Sequence, residues 1–480
     1  MNPSIRESFS EFWASNISKL GIVFLTVLVV VSIYTVTTLP LDFGVKYWYN
    51  PTYWVDYPKA AQPEWINLFL PEKLMKHVEL SATKATGIKP YDDRFIKYYN
   101  VSYNHEYSQF PKFITLKISN LVFYDRNSPP IVRFYVTRPD GRTVELYTLA
   151  IETPSDNTTS PFKYFSIEPK RILLSGDMYL ARSLVGFLYR EFNLSLGTSS
   201  VLEVGNEKIV FGRIIGNNTF TPLTGKYVFS IALICKDVND YVGMVDVVLG
   251  GYVYGLMGTD VLGRDLSQGL LFGFPVALII GVGTSLLTTV IGAGLGIVGG
   301  YIGGFVDDVI QRFADIVNNI PLLPLLILLS FIFGGRLWLI ILVLVFFNWP
   351  SLAIIVRSMV LSAKTSQFIE AAVAVGASRL RIMVKHIFPQ VAPFILAQMI
   401  FFTPYAILAE AALSFLGLGD VSMPTWGQIL EYGFKNGAVF LGYWWWILPP
   451  GLFIVYSAIT FVFIALGMEP VVNPRLRRWR

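Results

Sequence analysis

The chain has 480 residues, of which 53% are hydrophobic and 15% are charged, and its mean hydropathy is +0.53. This composition excludes an ordinary soluble protein and is typical of an integral membrane protein. The net charge of +5 is too small to indicate a nucleic-acid partner, and the single cysteine, Cys235, excludes an intrachain disulfide and a cysteine-based metal cluster.

Enzymatic and cofactor chemistry find little support in the sequence. The three histidines, His77, His105 and His386, are far apart, which argues against a histidine metal site. The phosphate-binding pattern G-x-x-x-x-G-K-[ST] is absent from the sequence, so any ATP that drives this protein must be bound by another chain. We expect no enzyme activity and no metal or cofactor bound by this chain.

The first predicted element is a transmembrane helix. Leu20–Leu39 is a nearly uncharged apolar run of the length that crosses a bilayer at about 1.5 Å per residue. Arg6 and Lys19 precede it, which predicts a cytoplasmic N-terminus. A secretory signal peptide is the alternative, but the run is long for one and no small-x-small cleavage site follows. We expect residues 1–40 to form the cytoplasmic N-terminus and a retained first span.

Residues 41–253 differ in composition from the rest of the chain. They hold 44 charged residues, whereas the slightly longer stretch 254–480 holds 23. Alternating apolar and polar residues predict strands, with a hairpin turn at Arg138–Arg142. The predicted strands are Phe113–Tyr124, Ile131–Thr137, Thr143–Ile151, Lys208–Ile215 and Tyr227–Cys235, and the predicted amphipathic helix is Gly176–Glu191. We expect a β-rich soluble extracytoplasmic domain, a sandwich with an added helix, between the first and second transmembrane helices.

Four N-x-[ST] sequons lie in this segment. They are candidate glycosylation sites on an extracytoplasmic surface. The alternative is that these asparagines serve turn conformations, and a further sequon at Asn16, on the predicted cytoplasmic side, shows that chance also produces the pattern. The four candidates are Asn100, Asn157, Asn193 and Asn217.

Five further spans are predicted within residues 254–480. They are about Leu270–Val298, Ile316–Phe333, Leu337–Val356, Phe394–Leu416 and Trp446–Met468. Every second connection between the predicted spans is rich in arginine and lysine. The positive-inside rule places these connections in the cytoplasm. The residues concerned are Arg312, Arg357, Lys364, Arg379, Arg381 and Lys385, with Arg475, Arg477, Arg478 and Arg480 in the basic tail. The sequence therefore predicts a multi-pass plasma-membrane protein with six transmembrane helices and both termini in the cytoplasm.

A polar island between the fourth and fifth spans, residues 366–389, is called the EAA segment below. It contains Glu370-Ala371-Ala372, then Gly376, and ends in Ile387-Phe388-Pro389. Two helices are predicted here: one about Ser366–Val375 closed by Gly376, and one from Ser378 to Pro389. The pattern resembles the EAA loop of ABC-importer permeases, the cytoplasmic coupling helix that docks in a groove of the ATPase subunit. A helical hairpin between two spans is the alternative.

The resemblance implies roles for particular side chains of the EAA segment. The residues assigned to ATPase coupling are Glu370, Ala371, Ala372, Gly376, Arg379 and Arg381. Phe368, Val375 and Leu380 would form the apolar face in the ATPase groove, with the two arginines at its rim. On this model the segment converts closure of the ATP-bound nucleotide domains into movement of the spans.

Residues 258–265, called the GTD segment below, precede the second span. Their Gly-Thr-Asp-x-x-Gly-Arg-Asp pattern resembles the signature of dipeptide/oligopeptide-type ABC permeases, at the outer membrane face. The matching positions are Gly258, Thr259, Asp260, Gly263, Arg264 and Asp265. The residue chemistry predicts that Thr259 or Asp260 caps a short interfacial helix, with Arg264 and Asp265 at the level of the lipid headgroups.

Two further features concern the spans themselves. Gly281, Gly292 and Gly296 are predicted to permit close helix packing. Glu410 is an acid inside an apolar run, where a charge is costly, so it is a candidate pathway or gating residue. The alternative for Glu410 is a hydrogen-bonded structural carboxylate at the outer end of a span.

Together the motifs identify the chain as similar to the dipeptide/oligopeptide family of binding-protein-dependent ABC importer permeases, over the first span and about residues 254–480. The expected fold is the type I importer arrangement with an enlarged extracytoplasmic domain. The resemblance implies a second permease, two cytoplasmic ATPases that bind ATP and Mg²⁺, and an extracytoplasmic solute-binding protein, with peptides or oligosaccharides as cargo. A membrane receptor or sensor and an ion-coupled transporter, each with a large ectodomain, are the alternatives.

Overall fold

The computed structural model describes residues 12–153, 159–215, 219–420 and 422–472, with side chains described to residue 468. The chain forms two compact units. The membrane unit comprises the two ends of the chain, up to Tyr53 and from Leu266, and the β-rich unit comprises Trp54–Asp265. Several predicted features lie outside the described residues: Arg6, the sequons at Asn157 and Asn217, and the tail arginines Arg475, Arg477, Arg478 and Arg480.

The unit boundaries fall about 12 residues later than the sequence-based ones at 40/41 and 253/254. After helix α1, Asn16–Thr38, residues 41–53 still pack on the membrane unit. The Phe43 ring stacks on Phe272 with centroids 5.5 Å apart, and the Trp48 ring fills the space over Gly269, where a Cβ would overlap it. At the other end, the GTD segment folds within the β-rich unit.

The β-rich unit is built from twelve strands among its described residues. They are β1 (Val78–Ala82), β2 (Gly87–Tyr91), β3 (Arg94–His105), β4 (Ile114–Phe123), β5 (Ile131–Thr137), β6 (Thr143–Ala150), β7 (Phe162–Tyr164), β8 (Lys170–Leu173), β9 (Gly212–Ile215), β10 (Thr219–Pro222), β11 (Gly225–Cys235) and β12 (Tyr241–Leu249). One antiparallel sheet has the order β1-β12-β4-β7, with β8 also paired to β4, and the second has the order β2-β3-β11-β5-β6. Strands β9 and β10 form a separate ribbon.

Both sheets contribute to one hydrophobic core, as in a sandwich. Leu116 and Phe134 are fully buried representatives of the two sheets, and Leu184 of helix α2 (Met178–Phe192) joins the same cluster. The described residues of this unit also form the short helices α3 (Thr198–Val204) and α4 (Asn206–Val210) and a 3₁₀ helix at Glu64–Leu68. The predicted β-rich fold with an added helix is therefore confirmed.

One predicted strand is wrong in its first half. Lys208–Ile215 was expected to be extended, but Lys208 lies in α4 and only Gly212–Ile215 forms a strand. Gly212 makes the switch possible, because a Cβ there would overlap the carbonyl oxygen of Lys208. The chain therefore turns tightly from helix into strand at a position where only glycine fits.

The membrane unit continues with nine helices in the described residues. They are α5 (Leu266–Ile302), α6 (Gly304–Asn319), α7 (Leu322–Phe333), α8 (Leu337–Lys364), α9 (Gln367–Ala374), α10 (Arg379–Ile382), α11 (Phe388–Phe415), α12 (Trp426–Lys435) and α13 (Trp444–Val472). Five helical stretches are long and apolar enough to cross a membrane, and α6 with α7 makes a sixth if the bent pair is one span.

The predicted span Ile316–Phe333 is not one continuous helix in the structure. Helix α6 ends at Asn319 and α7 begins at Leu322, with an 80° bend between them. Ile320 is extended, with φ −83° and ψ 125°, because the ring of Pro321 disfavours the helical conformation in the residue before it. The residues of the predicted third span therefore form a bent helix pair.

Helices α5 and α8 pack along a row of glycines spaced four residues apart. A Cβ on Gly292, Gly296 or Gly300 would lie only 2.7–3.0 Å from a backbone carbonyl oxygen of α8. The three carbonyls belong to Trp349, Ala353 and Arg357. This close approach agrees with the predicted packing role of Gly292 and Gly296, and Gly300 extends the same row.

Candidate functional site

The EAA segment begins with a short helix closed by glycine. Ser366 occupies the N-cap position of α9, and Glu370 lies in its first turn, where the helix dipole favours an acid. At the other end the Gly376 N–H donates to Val373 O at 2.9 Å, and the Ala377 N–H donates to Ala372 O at 3.1 Å. This is the Schellman pattern, and Gly376 has the positive φ of 82° that it requires.

The second predicted helix starts where expected but does not stop at Pro389. Helix α10 begins after Ser378, passes through a π-helical turn at Met383–Ile387, and continues into α11. Residues Arg379–Phe415 thus form one continuous helical stretch that is apolar enough to span a membrane. Pro389 lies in the first turn of α11, just after the wider π turn, where its missing N–H is tolerated.

The EAA segment has an inner and an outer face. Ile369, Ile382 and Ile387 are at most 2% exposed and pack in one cluster with residues of α5, α8 and α11. On the outer face Val375 is 88% exposed and Leu380 is 68% exposed. Large apolar side chains exposed together, at the ends of two short helices, are typical of a surface that a partner covers.

The polar residues of the motif share this outer face. Glu370, Ala371, Gly376, Arg379 and Arg381 are exposed, and Phe368 is 48% exposed. Ala372 differs, because it packs against the inner cluster and accepts the Ala377 hydrogen bond. The motif therefore combines exposed side chains with one alanine and one glycine that shape the turn.

Two polar contacts near the C-terminal end of α8 join this helix to α6 and α5. The Arg357 guanidinium makes a two-pronged ion pair with the Asp307 carboxylate of α6, and Lys364 Nζ donates to Tyr301 O at 2.7 Å. From the sequence, Arg357 and Lys364 are predicted only to be cytoplasmic charges that set the membrane topology. Their partners lie about 50 and 63 positions away, and no local pattern signals such pairs.

The GTD segment is a buried turn, so the predicted helix cap is wrong. Thr259 and Asp260 are fully buried, and the first helix after them begins only at Leu266. The Thr259 hydroxyl donates to Pro58 O at 2.6 Å and accepts from the Ala61 N–H at 2.9 Å. Thr259 therefore joins two chain segments 200 residues apart and caps no helix.

Asp260 organises the second half of this turn. Its Oδ1 accepts from the backbone N–H groups of Leu262 and Arg264 at 2.9 Å, and its Oδ2 accepts from Arg264 Nε. Burial raises the pKa of Asp260, while the Arg264 guanidinium and the two amides act in the opposite direction. Gly263 has φ 85°, and a Cβ there would lie 3.0 Å from the carbonyl oxygens of Trp54 and Tyr57.

The remaining candidates lie apart from these two segments. Glu410 of α11 is 5% exposed, and its Oε1 accepts from Ser414 Oγ at 2.6 Å, which matches the structural alternative; a pathway role stays a prediction. Asn193 is exposed and takes the left-handed conformation at the C-cap of α2, as the turn alternative predicts. Asn100 is exposed in the middle of β3, and neither position tests glycosylation.

The described part of the chain contains no arrangement of side chains that would hold a metal ion. Among those residues, no group of three or more histidine, cysteine or acidic side chains is arranged to hold an ion. Cys235 is buried in the β-rich unit, where burial raises the pKa of its thiol to about 11. The features described above are exposed apolar and charged surfaces and closely packed helices.

Comparison with known proteins gives a consistent answer. Residues 292–478 match the family described as "Binding-protein-dependent transport system inner membrane component". The chain is 34% identical over 225 residues to the oligopeptide transport system permease protein OppC of Haemophilus influenzae, covering 47% of this chain and 71% of that protein. It is 35% identical over 222 residues to the dipeptide transport system permease protein DppC of Bacillus subtilis, covering 46% and 69%.

A third relative extends the comparison to another organism. The oligopeptide transport system permease protein OppC of Escherichia coli is 36% identical over 221 residues, covering 46% of this chain and 72% of that protein. The family match includes the whole EAA segment, Glu410 and the glycine row of α5, and it leaves the β-rich unit outside. The chain belongs to the family of membrane components of binding-protein-dependent transport systems.

Proposed function

We propose that this chain is one of two permease subunits of an ATP-driven importer, and that its cargo is peptides. The observation that carries the coupling role is the outer face of the EAA segment, where Val375 and Leu380 are 88% and 68% exposed beside Glu370, Arg379 and Arg381. The relatives named above are permeases of oligopeptide and dipeptide transport systems. Peptides are therefore the cargo that the comparisons favour.

The proposed partners follow from this role. Two ATPase subunits, which bind ATP and Mg²⁺, would dock on the EAA segment from the cytoplasm. The apolar side chains Phe368, Val375 and Leu380 would enter a groove of the ATPase, and Arg379 and Arg381 would lie at its rim. A second permease would complete the translocation pathway, and a solute-binding protein would deliver the cargo from outside.

The proposed orientation places the EAA segment and both termini in the cytoplasm. It is supported by the basic residues of the segment and of the connection before it, since loops rich in lysine and arginine stay inside. The β-rich unit is then extracytoplasmic. There it would position the solute-binding protein or brace the second permease, and deletion of residues 54–265 with measurement of binding-protein affinity and complex assembly tests both roles.

The coupling role predicts the effect of reversing one charge. Glu370→Lys places a cation in the first turn of α9, against the helix dipole and in the face that meets the ATPase. We expect ATP-dependent peptide uptake and transport-coupled ATP turnover to be abolished in vesicles that hold the full complex. Membrane insertion should be unchanged, because Glu370 is exposed and packs on nothing in the core.

The matched control is Glu168→Lys, the same charge reversal at an exposed residue of the β-rich unit. Uptake by that variant should equal uptake by the native protein. Undiminished uptake by Glu370→Lys would contradict the coupling role, whatever the control shows. Loss of the ATPase subunits in a pull-down of Glu370→Lys would locate the defect at docking.

A further inference from the structure

A trough runs across the exposed face of the sheet β2-β3-β11-β5-β6. The inner face of this sheet carries core side chains such as Phe134 and Phe229, which are 1% exposed. On the outer face the central strand β11 carries the small residues Ser230 and Ala232. Small side chains on a central strand leave a depression when the neighbouring strands carry large ones.

The strand register places large side chains on both sides of this depression. Ala232 pairs with Tyr98 of β3 on one side and with Arg133 of β5 on the other. In the next outward-facing row, Ser230 lies beside Tyr135 of β5. The trough therefore has a floor of small residues, a wall with Tyr98 and a wall with Arg133 and Tyr135.

The trough, which is open to solvent on one side, has the volume of a small-molecule site. It measures about 730 Å³, within the range of about 300–1,000 Å³ that ligand sites occupy. The hairpin turn between β2 and β3, with Asp92 and Asp93, lies at one end of it. All the residues that line it belong to the β-rich unit.

Charges of opposite sign lie at separate places in the trough. Asp92 and Asp93 are exposed on the hairpin turn, and Arg94 Nε lies 4.0 Å from Asp93 Oδ1, which leaves Asp92 as the less neutralised acid. Arg133 is exposed, two residues before Tyr135 on the same face of β5. Three strand residues separate the row of Phe95 and Cys235 from the row of Ala232 and Arg133, and Asp92 and Asp93 lie in the turn beyond Phe95. The acids and Arg133 are therefore well separated along the strands.

We propose that this trough binds a short peptide through both of its charged ends. The peptide ammonium group meets Asp92 and Asp93, and its carboxylate meets Arg133, which can bind it with two parallel hydrogen bonds. Tyr98 and Tyr135 provide aromatic surface for the peptide side chains.

The choice of a peptide rests on the proposed function, but the charge pattern supports it independently. A single anion would need only the arginine, and a neutral sugar would need neither charge. A zwitterion satisfies both. The site lies outside residues 292–478, so it would be an addition of this chain to the family's transport unit.

The test measures peptide binding to the full-length protein in lipid nanodiscs, without ATP or ATPase subunits. Trialanine is compared by equilibrium dialysis with its N-acetylated and C-amidated forms. We expect trialanine to bind saturably and each blocked form to bind about 10- to 100-fold more weakly, since each loses a charge-assisted contact. Arg133→Gln should weaken trialanine binding by a similar factor and remove the preference for the acid over the amide.

A second variant tests the other end of the trough. Asp92→Asn combined with Asp93→Asn should remove the preference for trialanine over its N-acetylated form, while the preference for the acid over the amide remains. Arg213→Gln is the control, because Arg213 is exposed on β9 and does not line the trough. It should bind trialanine as the native protein does.

Two results would overturn the proposal. One is the absence of saturable trialanine binding, and the other is binding that Arg133→Gln leaves unchanged. Both are independent of the transport experiment, since no uptake is measured. A native protein that takes up peptides but shows no trough binding would refute the trough alone, and a protein that binds trialanine while Glu370→Lys still transports would refute the coupling role alone.

Discussion

The EAA segment and the GTD segment both resemble family motifs, yet the polar side chains of the first are exposed and those of the second are buried. In the EAA segment the motif side chains Glu370, Arg379 and Arg381 are exposed. In the GTD segment Thr259 and Asp260 are fully buried, and Arg264 is 5% exposed. One motif leaves its polar groups exposed, where the proposed ATPase partner would meet them, and the other uses its polar groups in contacts within the β-rich unit.

The difference shows that a motif alone does not say what its residues touch. An exposed charged group adds little to stability, so its presence in a motif indicates a partner or a reaction. A buried ion pair, in contrast, is a condition for folding once it is present, because removal of one member leaves the other poorly solvated. The two segments should therefore respond to substitution in opposite measurements.

Asp260→Ala is the substitution with the largest expected effect on stability. It removes the carboxylate from the buried Arg264 guanidinium and the acceptor from two backbone amides. Loss of one member of such a pair costs about 3–5 kcal/mol, which for a unit of this size lowers the melting temperature by on the order of 10 °C. Differential scanning calorimetry of the purified protein measures it.

The matched variant for this comparison is Glu370→Ala in the EAA segment. An exposed acid with no buried contact should change stability by less than about 0.5 kcal/mol. The contrast between the two segments fails if Asp260→Ala melts within about 2 °C of the native protein, a shift that corresponds to about 0.5–1 kcal/mol in a unit of this size.

His77 makes the stability of the β-rich unit depend on pH. Burial lowers the pKa of His77 to about 4, although the Glu79 and Asp56 carboxylates act in the opposite direction, and Lys117 adds to the lowering. In the unfolded chain the pKa is about 6.5. The unfolded state therefore binds more protons between these values, and stability present above pH 6.5 is lost as the pH falls towards 4.

The loss reaches about 3 kcal/mol at pH 4 by this linkage. The surroundings of His77 are aromatic, with Tyr57, Tyr254 and Phe113 rings within 6.3 Å of its centroid, so His77→Phe should fold and lack the titration. Melting temperatures of the two proteins from pH 7 to pH 4.5 should diverge as the pH falls. Parallel curves would show that His77 does not contribute.

The sequence predicted the EAA segment well because its signals are local. Ser366 at the N-cap, Gly376 after the helix and Ser378 before the next helix lie within a few residues of the structure they determine. The predicted end of the second helix was wrong, because a proline such as Pro389 usually indicates that a helix ends. The π turn at Met383–Ile387, which accommodates the proline, depends on packing of Ile382 and Ile387.

The GTD segment and the trough could not be predicted in the same way. The hydrogen-bond partners of Thr259 are Pro58 and Ala61, about 200 positions earlier in the chain. The trough depends on the register of β3, β11 and β5, which brings Tyr98 and Arg133 to either side of Ala232. A register is fixed by long-range pairing, and one sequence without pairing information leaves it open.

Gly376 supports a smaller stability effect than Asp260 or His77 and the sharpest test of the EAA turn. Its φ of 82° is accessible to glycine and to asparagine but strained for other residues, and no atom lies within 4 Å of the position that a Cβ would occupy. Steric exclusion is therefore absent, and any effect of Gly376→Val comes from backbone conformation.

The expected cost of Gly376→Val is about 1–2 kcal/mol, confined to the Schellman turn. In hydrogen exchange the amides of Gly376 and Ala377 should exchange about 5- to 30-fold faster, and uptake should be abolished because the outer face loses its shape. Gly376→Asn should exchange and transport nearly as the native protein does, since asparagine tolerates this conformation. Equal exchange in Gly376→Val and Gly376→Asn would show that the turn does not need glycine for its backbone.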